Sequence, residues 1–310
     1  MKQVFYIFGS LVLLPALALG QQAQTWQSES KISALLHSQQ SLIRKHFDGH
    51  PDDTLWVQQF KVKESLIVMV YFPGAGPNPL LFKYRGESLV WKIDPLADLA
   101  GYKYHPVLSA NDNGNIALSW YGTAPWGIHL RSFDERGKQL WSVAVSSGQT
   151  EPTSISLLNW RRHGWLIGYG TFEHGRIHLV DFDGKSSWEK SGVALYDEKG
   201  GHNPISMIPD SDDSVIVLWY RYGSFKKPRQ KDEFAAQRFK FTAQPIWPKP
   251  ISLGDAPSFA MVSPRKIDLS MGDDGRVKAK LYKGIAGDAV YDVTEYEVAL
   301  SKDGITQVVK

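Results

Sequence analysis

Phe133-Asp134-x-x-Gly137-x-x-x-Trp141, Val180-Asp181-x-x-Gly184-x-x-x-Trp188 and Phe239-Lys240-x-x-Ala243-x-x-x-Trp247 are three copies of one frame. A fourth, Leu300-Ser301-x-x-Gly304-x-x-x-Val308, carries Val in place of Trp, and a fifth, around Gly86 and Trp91, is one residue out of register. A second marker lies upstream of four of these copies. It is a proline, in His105-Pro106, Glu151-Pro152, Asn203-Pro204 and Ser263-Pro264, recurring at 46, 52 and 60 residues (106 to 152, 152 to 204, 204 to 264). The tryptophans recur at 50, 47 and 59 residues (91 to 141, 141 to 188, 188 to 247). Two markers with matching spacing indicate a repeat architecture, a solenoid, a propeller or an array.

Between the markers each unit reads as short apolar strands separated by Asp, Asn and Gly. These residues favour turns because they tolerate positive φ and bond their own backbone. Ile116-Ala117-Leu118-Ser119-Trp120 and Val215-Ile216-Val217-Leu218-Trp219 are rich in strand formers and lack helix punctuation. Four strands per unit, repeated about five times, predict an all-β chain. The expected fold is a β-propeller of about five four-stranded blades over residues 54–310, with six as the other count and a β-sandwich as the competing architecture. Residues 21–53 fall outside the repeat. Ile32, Leu35, Leu36, Leu42 and Ile43 lie at helical spacing there, and Gly49 would end the helix. That segment is expected either to pack on the propeller or to complete its last blade.

The frame resembles the repeats of bacterial secreted β-propellers whose blades carry a D-x-x-G-x-x-x-W hairpin and, more distantly, those of pyrroloquinoline-quinone-type propellers. The resemblance is confined to the repeat and runs from about Leu55 to Lys310. It implies that the tryptophan packs between neighbouring blades, which for fully buried Trp141 or Trp188 would make replacement by Ala cost about 3–5 kcal/mol. The quinoprotein hairpin has one more residue between Asp and Gly, and the sialidase-type Asp box is shorter on each side. Neither activity carries over, and no cofactor is expected.

Met1-Lys2, an apolar run from Val4 to Leu14, Pro15 and the small residues of Ala18-Leu19-Gly20 read as a signal peptide over residues 1–20 with cleavage after Gly20. The expectation is a periplasmic or secreted protein. With no Cys in the chain, a lipobox and disulfides are both excluded. Loss of residues 1–20 takes the net charge from +3 to +2, since it removes one Lys and no acid. No field of one sign points to nucleic acid, and no later apolar run reaches membrane length.

The candidate site residues are His105, Glu151 and Asn203, which precede the repeat prolines, together with His202. If the strand that follows is innermost, they ring the mouth of the channel; the competing reading is hydrogen-bonded turn residues. Secondary candidates are Trp126 and Phe225, aromatics in non-equivalent loops, and the basic run Lys226, Lys227, Arg229 and Lys231, which suits an anionic glycan or a lipid head group. The loops Asn111–Gly114, Asp210–Asp213 and Gly272–Gly275 lack the ligand spacing of a calcium loop, and hairpin turns are expected instead. No G-x-S-x-G or H-E-x-x-H occurs, and Gly49 and Pro51 disqualify His46 and His50 as a metal-binding helix face. No metal is expected. Two functions remain. One is an extracytoplasmic non-catalytic propeller that binds a protein partner or acts as a scaffold. The other is a carbohydrate-active propeller that binds or hydrolyses a glycan. Because only Glu151 is acidic among the aligned positions, the first is the main expectation.

Overall fold

The computed structural model of the chain describes residues 34–49, 55–72, 76–101, 103–123, 126–147, 152, 154–170, 174–189, 192–195, 202–211, 213–221, 233–255, 267–271, 277–283, 294–300 and 306–309. The described chain is all-β apart from one helix, α1 (Gln40–His46), and a helical turn at residues 34–37. The strands form five antiparallel sheets of four, each paired in chain order. Sheet one is β1 (Trp56–Val62), β2 (Ser65–Tyr71), β3 (Leu80–Arg85) and β4 (Ser88–Ile93). Sheet two is β5 (Lys103–Ala110), β6 (Ile116–Thr123), β7 (Trp126–Phe133) and β8 (Gln139–Ala144). Sheet three is β9 (Ser154–Trp160), β10 (Gly164–Gly170), β11 (Gly175–Val180) and β12 (Val193–Ala194). Sheet four is β13 (His202–Ser211), β14 (Ser214–Arg221), β15 (Glu233–Lys240) and β16 (Ile251–Asp255). Sheet five is β17 (Ile267–Met271), β18 (Val277–Lys283), β19 (Thr294–Leu300) and β20 (Thr306–Val309).

The D-x-x-G frame is the turn between third and fourth strands. In sheet two Asp134 N–H donates to the Lys138 carbonyl and Gly137 N–H to the Asp134 carbonyl, and in sheet three Asp181, Lys185 and Gly184 repeat the pattern. The aspartate caps its own turn. Asp134 Oδ1 accepts from the N–H of Arg136 and Lys138, both at 2.9 Å, and Asp181 Oδ1 accepts from Asp183 and Lys185 at 3.0 and 2.8 Å. Gly137 and Gly184 sit at φ 80° and 84°, where a side chain is strained. The Asn111–Gly114 loop has the same geometry, with Asn111 Oδ1 accepting from the N–H of Asn113 and Asn115, and it forms a hairpin turn as expected. The turn at Asp213 is also a hairpin, with Ser211 paired to Ser214, while Gly272–Gly275 lies outside the described residues.

The chain divides at Ser142–Val143 into two compact units. In the first, α1 covers one face of sheet one. Leu35, Leu36, Ile43 and Phe47 bury against Val57, Leu66, Val68, Val70, Leu80, Phe82 and Tyr84. Sheet five has four strands of its own, and the anticipated helix packs on sheet one. Its end is short of Gly49, which adopts φ 82°. Ile32 and residues 1–20, for which a signal peptide is expected, lie outside the described residues. Strand β1 adjoins β5, the first strand of the next sheet, while β4 is largely exposed.

In the second unit β13 adjoins both β9 and β17. Sheets three and four share a core of Leu158, Trp160, Leu166, Leu179, Val217, Trp219 and Phe239. Neighbouring sheets are also tied by the repeat tryptophans. Trp91 Nε1 donates to the Glu135 carbonyl at 3.0 Å in the first unit, and Trp188 Nε1 donates to the Phe241 carbonyl at 2.7 Å in the second. Glu135 and Phe241 occupy the same place in the frame, one residue after Asp134 and Lys240. Trp91, Trp141 and Trp188 are half-buried and only Trp247 is buried. The stability cost expected from full burial is therefore too high for Trp141 and Trp188.

Candidate functional site

Each sheet has two ends. The lower end carries the turns that join first to second and third to fourth strands. The upper end carries the start of the first strand and the connection from second to third. In sheet two the upper end presents an aromatic row. Tyr104 pairs across strands with Tyr121, and Tyr121 pairs with Ile128. Trp126, two residues before Ile128 on β7, shares their face because strand side chains alternate with a period of two. Tyr104 and Tyr121 ring centroids are 6.0 Å apart, and those of Tyr121 and Trp126 are 5.9 Å apart, both tilted near 50°. Tyr121 is buried, Tyr104 half-buried and Trp126 is 44% exposed. The row therefore has its buried ring in the middle and its exposed end at Trp126.

His105 sits beside this row in an unusual backbone. Its φ is 51°, and the register of β5 against β6 shifts between Tyr104 and Val107. Positive φ is costly for a residue with a Cβ. The bulge places His105 and Pro106 opposite the single residue Trp120. The repeat proline of sheet four stands at a second shift, between Pro204 and Ser206, opposite Trp219. The proline marker is thus read out as a bulge in both strands, which fits the rule that proline in a sheet is confined to edges, starts and bulges.

The opposite face of sheet two is closed by charge pairing. Trp120 stacks on His129 at 5.3 Å, and the Arg131 guanidinium lies 5.8 Å from the Trp120 ring. Arg131, buried within the sheet, forks onto Asp98 at 2.6 and 3.1 Å and donates to the Pro95 carbonyl. That hydrogen bonding holds the Asp98 carboxyl below its ordinary range. Lys103 Nζ donates to the carbonyls of Leu99, Ala100 and Gly101. Burial lowers its pKa from the usual lysine value. Asp94 accepts from Asn78 and from Leu96 N–H. These carboxylates and cations build the 95–101 loop and face one another.

His105 and Trp126 are thus both at the upper end of sheet two. His202 and Asn203 begin β13, paired with Arg221 and Tyr220 at the upper end of sheet four. Glu151, Phe225, Lys226, Lys227, Arg229 and Lys231 lie outside the described residues. Tyr104 and Tyr121 were missed by sequence reading, because their place beside Trp126 is set by cross-strand register and not by local pattern. Also unanticipated is His178 on β11. Ser186 Oγ donates its one proton to the Trp188 carbonyl at 2.7 Å, so His178 Nε2 carries the proton it shares with Ser186 Oγ at 2.9 Å. Burial drops the His178 pKa to about 4. It is a neutral, structural histidine. Among the described residues no group of three or more His, Asp or Glu is placed to hold a metal, and no helix is long and apolar enough to cross a membrane.

No family model matches the chain, and no curated protein matches it. Among solved structures it is similar to a polysaccharide lyase, an ulvan lyase bound to a glycan of GlcA and Rha3S, at 11% identity and a TM-score of 0.52 over 85% of this chain and 72% of that one. An endo-1,4-beta-xylanase from Bacteroides thetaiotaomicron aligns at 10% identity and a TM-score of 0.47, over 81% and 92% of the two chains. An alpha-L-arabinanase from Cellvibrio cellulosa aligns at 10% identity and a TM-score of 0.44, over 81% and 93%. The likeness to the ulvan lyase supports the all-β fold. It also corrects the main functional expectation. The solved protein that shares this fold most extensively among these is a carbohydrate-active enzyme, and the reading as a non-catalytic protein-binding scaffold gives way to the glycan-active alternative.

Proposed function

We propose that the protein is an extracytoplasmic, carbohydrate-active β-propeller, its five sheets the blades, which binds a glycan at the upper end of its second sheet. The signal-peptide pattern of residues 1–20 supports the compartment, and the ulvan lyase of the same fold supports the ligand class. The observation that carries the reading is Trp126. Its neighbours in the row, Tyr104 and Tyr121, are more buried, yet the indole is 44% exposed and is backed by Tyr121. The apolar C–H face of a pyranose stacks on such a ring. The contribution assigned to this surface is recognition by stacking on Trp126.

The test is affinity electrophoresis and calorimetry of the wild type and of Trp126→Ala against ulvan, xylo- and arabino-oligosaccharides. Removing a stacking anchor should weaken binding about tenfold or more, as truncation of a hot-spot aromatic does. The melting temperature should hold within the scatter of surface substitutions. Equal affinity in both proteins would remove Trp126 from the site, and absence of binding by the wild type would remove the glycan reading.

A further inference from the structure

The lower end of the second unit carries another exposed aromatic. Phe241, in the turn after β15, is 41% exposed, although its position is fixed on three sides. Its N–H donates to the Asp213 carbonyl at 2.8 Å, its carbonyl accepts from Trp188 Nε1 at 2.7 Å, and its ring stacks on His163 at 4.7 Å with 11° between planes. His163 is held in turn by the edge of Trp160 at 5.3 Å. A phenyl ring needs none of this to sit in solvent. One face is used by His163; a ring so held and still well exposed is a preorganised contact surface.

Polar groups suited to sugar hydroxyls stand beside it. Arg162 donates to Asp213 Oδ1 at 3.1 Å, and His163 Nε2 lies 3.5 Å from the same oxygen. Both side chains of the Arg162–Asp213 pair are mostly exposed, at 63% and 67%. A guanidinium fork and a carboxylate at the rim of an aromatic face supply donors and acceptors for neighbouring ring hydroxyls. An exposed ion pair of this kind contributes little to folding, so stability alone does not account for it.

We infer that Phe241, Arg162 and Asp213 form a second sugar-binding site, between the turns of sheets three and four, that takes a pyranose ring with vicinal hydroxyls. It rests on the glycan reading above but uses residues of the other unit and the lower end of its own sheets. One chain then presents two separate contacts to a glycan.

The experiment is isothermal titration of the full chain with the same ulvan, xylo- and arabino-oligosaccharides. The wild type should show two sites per chain, Trp126→Ala one, and Trp126→Ala combined with Phe241→Ala none. Should Phe241→Ala fail to fold, Arg162→Ala in the Trp126→Ala background serves, with an unchanged melting temperature. It should weaken the remaining site roughly tenfold, the loss of a charge-assisted hydrogen bond. A single site abolished by Trp126→Ala overturns this inference and leaves the glycan reading standing. Unaltered binding in the Phe241→Ala and Arg162→Ala proteins also overturns it. No binding by the wild type overturns both.

Discussion

The aspartate and glycine of the D-x-x-G frame act within one turn, the aspartate by accepting two backbone N–H groups and the glycine by adopting positive φ. The copy at Lys240 and Ala243 lacks both residues and still forms the turn, with Ala243 held at φ 71°. An L-residue there costs about 1–2 kcal/mol, partly offset by the greater freedom glycine loses on folding. Ala243→Gly should therefore stabilise the protein by about 0.5 kcal/mol, read as a raised midpoint in denaturant. The tryptophan of the frame works on the neighbouring sheet. Trp188→Phe keeps most of the packing and removes the bond to the Phe241 carbonyl, and should cost about 1 kcal/mol, the usual net worth of a hydrogen bond. An unchanged midpoint would show that water replaces the indole N–H without loss.

At the scale of elements, the strands were legible because turn residues punctuate them and because their apolar runs suit sheets buried on both faces, as all seven residues of β2 are. The helix was legible from Leu35, Leu36 and Ile43, and its docking on sheet one follows from that stripe. The role of the tryptophans was only half legible. Their spacing announces a shared position, but burial is decided by the next sheet, which leaves Trp91 and Trp188 at a rim where the indole N–H reaches a carbonyl. His178 had no signature at all, since nothing in its local sequence tells a buried imidazole from an exposed one. Its pKa is lowered from 6.5 to about 4, so between those values the unfolded chain binds the extra proton. Stability should fall as pH drops through 6.5 and level off near 4, by roughly 2–4 kcal/mol in all for such a shift. In His178→Gln that part of the acid slope should be missing from urea titrations across the range; an identical slope would assign it to other groups.

For the whole molecule, charge gives little direction, at +3 over 310 residues, and function has to come from placed side chains. The expectation of a ring of polar residues at the strand starts tied function to positions that the repeat makes equivalent. Among the described residues the row of Tyr104, Tyr121 and Trp126 occurs in sheet two alone, and repeat logic hides what one sheet has alone. Of eleven tryptophans in the chain, Trp126 is the only one among the described residues that is exposed enough to rank with the exposed large hydrophobics. A glycan stacked on it should change the tryptophan fluorescence of the wild type, with a blue shift as water leaves the indole. Titration of wild type and Trp126→Phe with the oligosaccharide that binds tightest is the direct measurement. A saturable shift is expected in the wild type, and a clearly smaller one in Trp126→Phe at the same ligand concentrations. An equal shift in both proteins would contradict it.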